Sequence, residues 1–157
     1  MTFIKGTTTI TLDTADEGSF EKLIRHYKKG NVISLSSQHS DEFIDRKTGM
    51  VNYHGYALVE VREDVASSGL TLIKCLNVSG SGGDFLGDLG YKFLLWKDRP
   101  EIKEALRFEV ADDGAFWISR EYFPVAFSVV WIAVRSEDLN DDDFSLKKIN
   151  DLRSSSF

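Results

Sequence analysis

Two apolar segments in the middle of the chain constrain its fold more than any other feature. Residues 54–62 read HGYALVEVR, residues 70–77 read LTLIKCLN, and the connector EDVASSG between them is typical of a turn. Side chains alternate between the two faces of a strand, and in both segments both faces carry apolar residues. The pattern therefore predicts an antiparallel hairpin that lies in the centre of a sheet.

The remaining elements follow from β-branched runs, turn signals and helix-capping patterns. Further strands are predicted at 7–13, 31–37, directly after the Asp113-Gly114 turn and at 128–135, with short helices starting at Asp98 and within 120–127. Pro124 would strain the interior of the second of these helices. The predicted fold class is α+β and β-rich, an antiparallel sheet or barrel that carries helices at its side.

One longer helix is predicted within residues 14–30. Its apolar stripe consists of Phe20, Leu23, Ile24 and Tyr27, which recur at helical spacing. Thr14 with Glu17, or Ser19 alone, is expected to cap its start, and Gly30 marks its end. His26 falls off the stripe and is expected to be exposed.

Length and charge narrow the class of protein. A chain of 157 residues suits one domain, predicted over 1–135, with an acidic and then serine-rich tail or linker at 136–157. The net charge of −6 argues against a nucleic-acid partner. The single cysteine, Cys75, cannot form an intrachain disulfide, which favours a reducing, cytoplasmic setting. No apolar run is long enough for a signal peptide or a membrane span, so neither is expected.

The hairpin gives His54 a partner. If the turn is centred between Val65 and Ala66, facing residue numbers sum to 131, and His54 lies opposite Asn77 at the open end of the hairpin. A carboxamide beside an imidazole can hold the ring in one tautomer and one orientation, which prepares a general base for work on a thiol. The alternative is a histidine that is merely satisfied at a strand end. A register slip by one residue would separate the pair.

Three stretches resemble the calpain family of cysteine peptidases, in the C-terminal half of its papain-like core. Tyr53-His54-Gly55-Tyr56 is similar to the family's Gly-His-Ala-Tyr, and Asn77-Val78-Ser79-Gly80 to its Asn-Pro-Trp-Gly. Residues 113–119, DGAFWIS, resemble Asp-Gly-Glu-Phe-Trp-Met-Ser, and residues 20–37 resemble the segment before the family's long loop. The likeness covers residues 6–134. It implies that His54 is a catalytic general base and acid, that Asn77 orients it, and that the substrate is a protein or peptide.

The chain departs from the family pattern at several positions. The half that bears the family's nucleophilic cysteine is missing, so a cysteine-bearing subdomain in cis or in trans is an expected partner. Cys75 lies within a strand with no helix N-terminus to lower its pKa, and it is expected to be a small buried hydrophobe. Val78 and Ser79 replace the proline and the shielding tryptophan.

No cofactor or metal is predicted. Family cores bind calcium through loop acids, but Ala115 replaces one of them, and Asp84 and Asp113 alone are too few for an ion that takes six to eight oxygens. The histidines and Cys75 have no metal-ligand spacing. The glycine-rich segment 78–90 lacks a phosphate-binding pattern and is expected to be a loop at the rim of a cleft.

Three hypotheses remain open at this point. The chain is the His/Asn subdomain of a calpain-like endopeptidase and is inactive alone, or it is a calpain-like binding or regulatory module without catalysis. The third hypothesis is an unrelated β-rich binding domain in which the motifs occur by chance.

Overall fold

Six antiparallel strands form one sheet in the computed structural model, which describes residues 6–79, 85, 89, 95–109 and 113–139. The strands are β1 (Thr7–Asp13), β2 (Val32–Ser37), β3 (Gly55–Arg62), β4 (Leu72–Asn77), β5 (Ala115–Ser119) and β6 (Phe127–Arg135). Their spatial order is β1-β6-β2-β3-β4-β5. The hairpin of β3 and β4 lies inside the sheet as predicted, and the α+β, β-rich fold class is confirmed.

Four helices accompany the sheet in the described part of the chain: α1 (Ser19–Lys28), α2 (Leu95–Asp98), α3 (Pro100–Ala105) and α4 (Phe123–Ala126). The predicted side-chain cap of α1 is wrong, because the residue before the helix is Gly18 at φ 81° and no side chain caps it. Thr14 instead donates its hydroxyl to the Phe127 carbonyl at 2.5 Å, which ties the end of β1 to β6. Pro124 stands in the first turn of α4, where proline is tolerated, so the expected strain is absent.

His26 is fully buried, which overturns its predicted exposure. Its Nδ1 lies 3.0 Å from the Asn31 side-chain amide, which donates to it. Asn31 also donates its backbone N–H to the His26 carbonyl at 3.1 Å. The turn that follows α1 therefore supplies the polar partner that allows an imidazole to be buried.

Apolar side chains cover both faces of the sheet over part of its width. The larger cluster joins α1, α4 and one sheet face, and its fully buried members include Leu23, Leu35, Ile73, Cys75, Ile118, Phe127, Val130 and Ile132. The smaller cluster packs α3 and the turn after β3 on the opposite face, through Val65, Leu72, Leu89, Ile102, Leu106 and Trp117. Strand β4 is therefore covered on both faces, as its doubly apolar pattern predicts, whereas Val59 on the outer face of β3 is 47% exposed.

The predicted register of the hairpin is wrong by two residues. Tyr56 pairs with Asn77, so facing numbers sum to 133 near the site rather than to 131. The register shifts between Leu58 and Glu60, after which Val61 pairs with Ile73. This irregularity puts Val61 on the same face of the sheet as Ile73.

Two predicted segments fall mainly outside the described residues. They are the glycine-rich loop at 78–90, of which only Val78, Ser79, Phe85 and Leu89 are described, and the tail beyond Leu139. Among the described helices, none has the length and apolar character that crossing a membrane requires.

Candidate active site

His54 and Asn77 meet at one end of the sheet. His54 immediately precedes β3, Asn77 is the last residue of β4, and the ring Nε2 of His54 lies 2.8 Å from the Oδ1 of Asn77. Tyr56, rather than His54, is the direct pairing partner of Asn77. The two side chains still share a face because the register differs from the expected one by an even number of residues. His54 is half-buried and Asn77 is buried, so the hydrogen bond between them is partly screened from water.

The backbone of Ser79 determines which way the Asn77 amide points. Its N–H lies 3.0 Å from Oδ1 of Asn77, and a backbone N–H can only donate. The atom that receives it must therefore be the carbonyl oxygen. Since this same oxygen contacts His54, the imidazole must carry its proton on Nε2. Nδ1 is then the ring nitrogen that presents a lone pair for proton exchange.

A buried serine, which the sequence analysis did not single out, holds the backbone of His54. Ser37 ends β2 and is 1% exposed. Its Oγ accepts the His54 N–H at 2.9 Å, and its own N–H donates to the His54 carbonyl at 3.0 Å. A serine at the end of a strand carries no distinctive sequence signal, so only the spatial arrangement reveals it.

Aromatic rings form the floor beneath the imidazole. Tyr56 stands edge-on to His54 with ring centroids 5.2 Å apart, and it packs against Phe116 and Phe127 at 5.8 and 5.7 Å. Burial raises the pKa of Tyr56 to about 12, although a hydrogen bond from the backbone of Val51 opposes the rise. The phenol therefore stays neutral and acts as packing below the ring.

Cys75 is not placed to act as a nucleophile. It is fully buried on β4, where it pairs with Leu58. Leu58 itself is four residues after His54. Burial raises the pKa of its thiol far above the usual value, so the reactive thiolate does not form at neutral pH.

The described residues do not assemble a metal site. No three histidine, cysteine, aspartate or glutamate side chains among them converge on a shared point. Asp113, one of the two acids considered for calcium, uses Oδ1 to accept the Ala115 N–H at 3.0 Å within its own turn. Asp84, the other of these acids, lies outside the described residues.

The fold and the site define a class: a β-rich α+β domain with a hydrogen-bonded histidine–asparagine pair at one end of its sheet. The family model described as calpain family cysteine protease matches residues 2–134, which is most of the chain. The chain belongs to the calpain family of cysteine proteases.

Individual relatives support the same assignment. The chain is 28% identical over 133 residues to calpain-7 from Mus musculus and 27% identical over 133 residues to calpain-7 from Homo sapiens. Each match covers 74% of this chain but 14% of the relative. The chain thus spans a small part of the length of these proteins.

Proposed function

We propose that this chain is the histidine- and asparagine-bearing C-terminal subdomain of a calpain-like, papain-like cysteine endopeptidase core. The observation that carries the proposal is the hydrogen bond of 2.8 Å between His54 Nε2 and Asn77 Oδ1, with the amide oriented by Ser79. This pair supplies a base that is held in one tautomer, and family membership supplies the reaction class. The substrate is a protein or peptide.

The proposed mechanism is acyl transfer through a thioester. His54 Nδ1 takes the proton of a cysteine thiol, and the thiolate attacks the carbonyl carbon of the peptide bond. The imidazolium then gives that proton to the leaving amine as the C–N bond breaks. In the second half, the neutral ring takes a proton from water, whose oxygen attacks the thioester carbonyl. The C–S bond then breaks, the sulfur takes that proton from the imidazolium, and the thiol and the carboxyl product are released. Throughout, Asn77 accepts from Nε2–H and stabilises the imidazolium.

The thiol in this mechanism comes from a separate segment. Cys75 is buried and its thiol stays protonated, so it cannot take the role. We expect a cysteine-bearing subdomain, in cis or in trans, to pack against the end of the sheet where His54 lies. The 157-residue chain alone is then inactive towards peptides. The single buried thiol remains compatible with the expected cytoplasmic setting.

A specific observation favours a second candidate, a calpain-like binding or regulatory module without catalysis. Val78 and Ser79 stand where the family pattern has proline and the tryptophan that shields the dyad. Val78 is 66% exposed, and Ser79 is also exposed. Neither Val78 nor Ser79 supplies the aromatic cover that the tryptophan gives the His–Asn bond in that pattern.

Peptide-hydrolysis kinetics separate the two candidates, if they are measured on the native-length protein, which is the protein at the length found in its source cell. In a peptidase, His54→Ala should lower kcat/KM for a peptide substrate by about 10²- to 10⁴-fold, the usual contribution of a general base. His39→Ala is the matched control, because His39 is exposed and stacks only on Tyr53 among the described rings. Wild-type turnover that survives His54→Ala would exclude the catalytic role, and a native-length protein without turnover would favour the binding module.

A further inference from the structure

We propose that Ser37 is a positioning residue for His54 that sets the imidazole orientation through the backbone. This inference deepens the proposed function, on which its catalytic meaning rests. Its physical basis is a set of hydrogen bonds that grip His54 at both its N–H and its carbonyl.

Two hydrogen bonds join Ser37 to the backbone of His54. The Ser37 hydroxyl oxygen accepts the N–H of His54 at 2.9 Å, while the Ser37 N–H donates to the carbonyl of His54 at 3.0 Å. With both backbone groups of His54 fixed by one residue, the direction of its Cα–Cβ bond is fixed as well. The ring can then reach Asn77 without a search through backbone conformations.

The same hydroxyl also ties the preceding loop. Ser37 Oγ donates to the carbonyl of Val51 at 2.7 Å, so one oxygen joins two points of the chain, three residues apart, at the approach to β3. Tyr53, between them, has φ 51°, a left-handed conformation that a residue with a side chain seldom adopts. The approach to β3 is therefore bent, and Ser37 is the residue that spans the bend.

Ser37 is itself anchored from the neighbouring strand. Ser128 of β6 donates its hydroxyl to the Ser37 carbonyl at 3.1 Å. A continuous chain of hydrogen bonds thus runs across one end of the sheet, from β6 through β2 to His54 and then to Asn77 on β4. Because Ser37 is 1% exposed, water cannot replace a lost hydroxyl without rearrangement.

The test measures the tautomer of the His54 ring rather than catalytic turnover. The ratio of the Nε2–H to the Nδ1–H tautomer of neutral His54 is measured by long-range ¹H–¹⁵N correlation in histidine-labelled chain. Ser37→Ala should lower this ratio about five- to tenfold, the effect of losing one buried hydrogen bond on an equilibrium. Ser37→Thr keeps the hydroxyl and should restore the ratio. Ser36→Ala, one position earlier, is the matched control and should leave it unchanged.

The outcomes are distinguishable. A folded Ser37→Ala chain with the wild-type tautomer ratio would overturn the proposal, as would an equal loss in Ser36→Ala. If Ser37→Ala does not fold, Ser128→Ala tests the same hydrogen-bond chain, and an unshifted ratio there is the overturning result. An inactive native-length protein with an ordered ring would contradict the peptidase function alone. An active native-length protein in which Ser37→Ala leaves the His54 tautomer ratio unchanged would contradict the positioning role alone.

Discussion

At the scale of single residues, Cys75 and Tyr56 are ionisable groups that the core holds in their neutral forms. Burial raises the pKa of both, from usual values of 9.0 for the thiol and 10.0 for the phenol, and the Tyr56 pKa reaches about 12. Above these usual values the unfolded chain loses protons that the folded chain keeps. The free energy of unfolding must therefore fall as pH rises, beginning near pH 9.

Denaturant titration at several pH values measures the expected fall in the free energy of unfolding at alkaline pH. Each group contributes a slope of up to about 1.4 kcal/mol per pH unit where only the unfolded form ionises. For Tyr56 that window runs from pH 10 to about 12. Cys75→Ala should remove the part that begins near pH 9, and Tyr56→Phe the part that begins near pH 10. A free energy of unfolding that stays flat from pH 8 to 11 would contradict this account.

Thiol labelling gives an independent check on Cys75. The fully buried side chain should react with a maleimide only through unfolding, so native labelling should be slow and should speed up with denaturant. Labelling of the native chain at the rate of a free thiol would instead reopen Cys75 as a candidate nucleophile.

At the scale of elements, the β3–β4 hairpin explains how a wrong register can still join the right residues. Alternation along the strands fixes which face each side chain occupies, and a shift of two residues keeps that face. His54 and Asn77 therefore meet although Tyr56 is the direct partner of Asn77. The irregularity between Leu58 and Glu60 leaves Val59 without a paired residue on β4, and no glycine or proline in this part of β3 signals it in the sequence.

Helix α1 also shows what a sequence pattern can and cannot predict. The predicted apolar stripe is confirmed at Phe20 and Leu23, which are buried, but apolar periodicity does not indicate that His26 is buried. That ring is buried because Asn31, beyond the helix, donates to it. The spacing of apolar residues within a helix cannot predict a hydrogen-bond partner that lies in the turn after it.

Packing of α1 on the sheet yields an element-scale prediction. Leu23 is completely buried in the larger cluster, whereas Ile24 is only partly buried beside it. Leu23→Ala should lower the free energy of unfolding by about 2–5 kcal/mol, the usual cost of such a cavity. Ile24→Ala removes a similar volume and should cost clearly less. Equal losses in urea titration would mean that α1 does not use Leu23 as its main contact.

At the scale of the whole molecule, the described residues place His54 and Asn77 at one end of a six-stranded sheet. The strands were predictable because their β-branched and apolar runs are continuous and bounded by turn residues. The pairing of β6 with both β1 and β2 was not, because it depends on contacts between distant parts of the chain. The match covers 14% of each calpain-7 relative, so the chain corresponds to a small part of the length of those proteins.

The tautomer of His54 with and without Asn77 tests the central claim most directly. In the wild-type chain, ¹⁵N spectra of the neutral ring should place the proton on Nε2, as the bond of 2.8 Å to Oδ1 requires. Asn77→Ala should lower the Nε2–H to Nδ1–H ratio by about tenfold. Asn52→Ala is the control, since this other buried asparagine donates to the Glu42 carbonyl at 2.8 Å within the preceding loop. A wild-type ring protonated on Nδ1, or a ratio that Asn77→Ala leaves unchanged, would contradict the account.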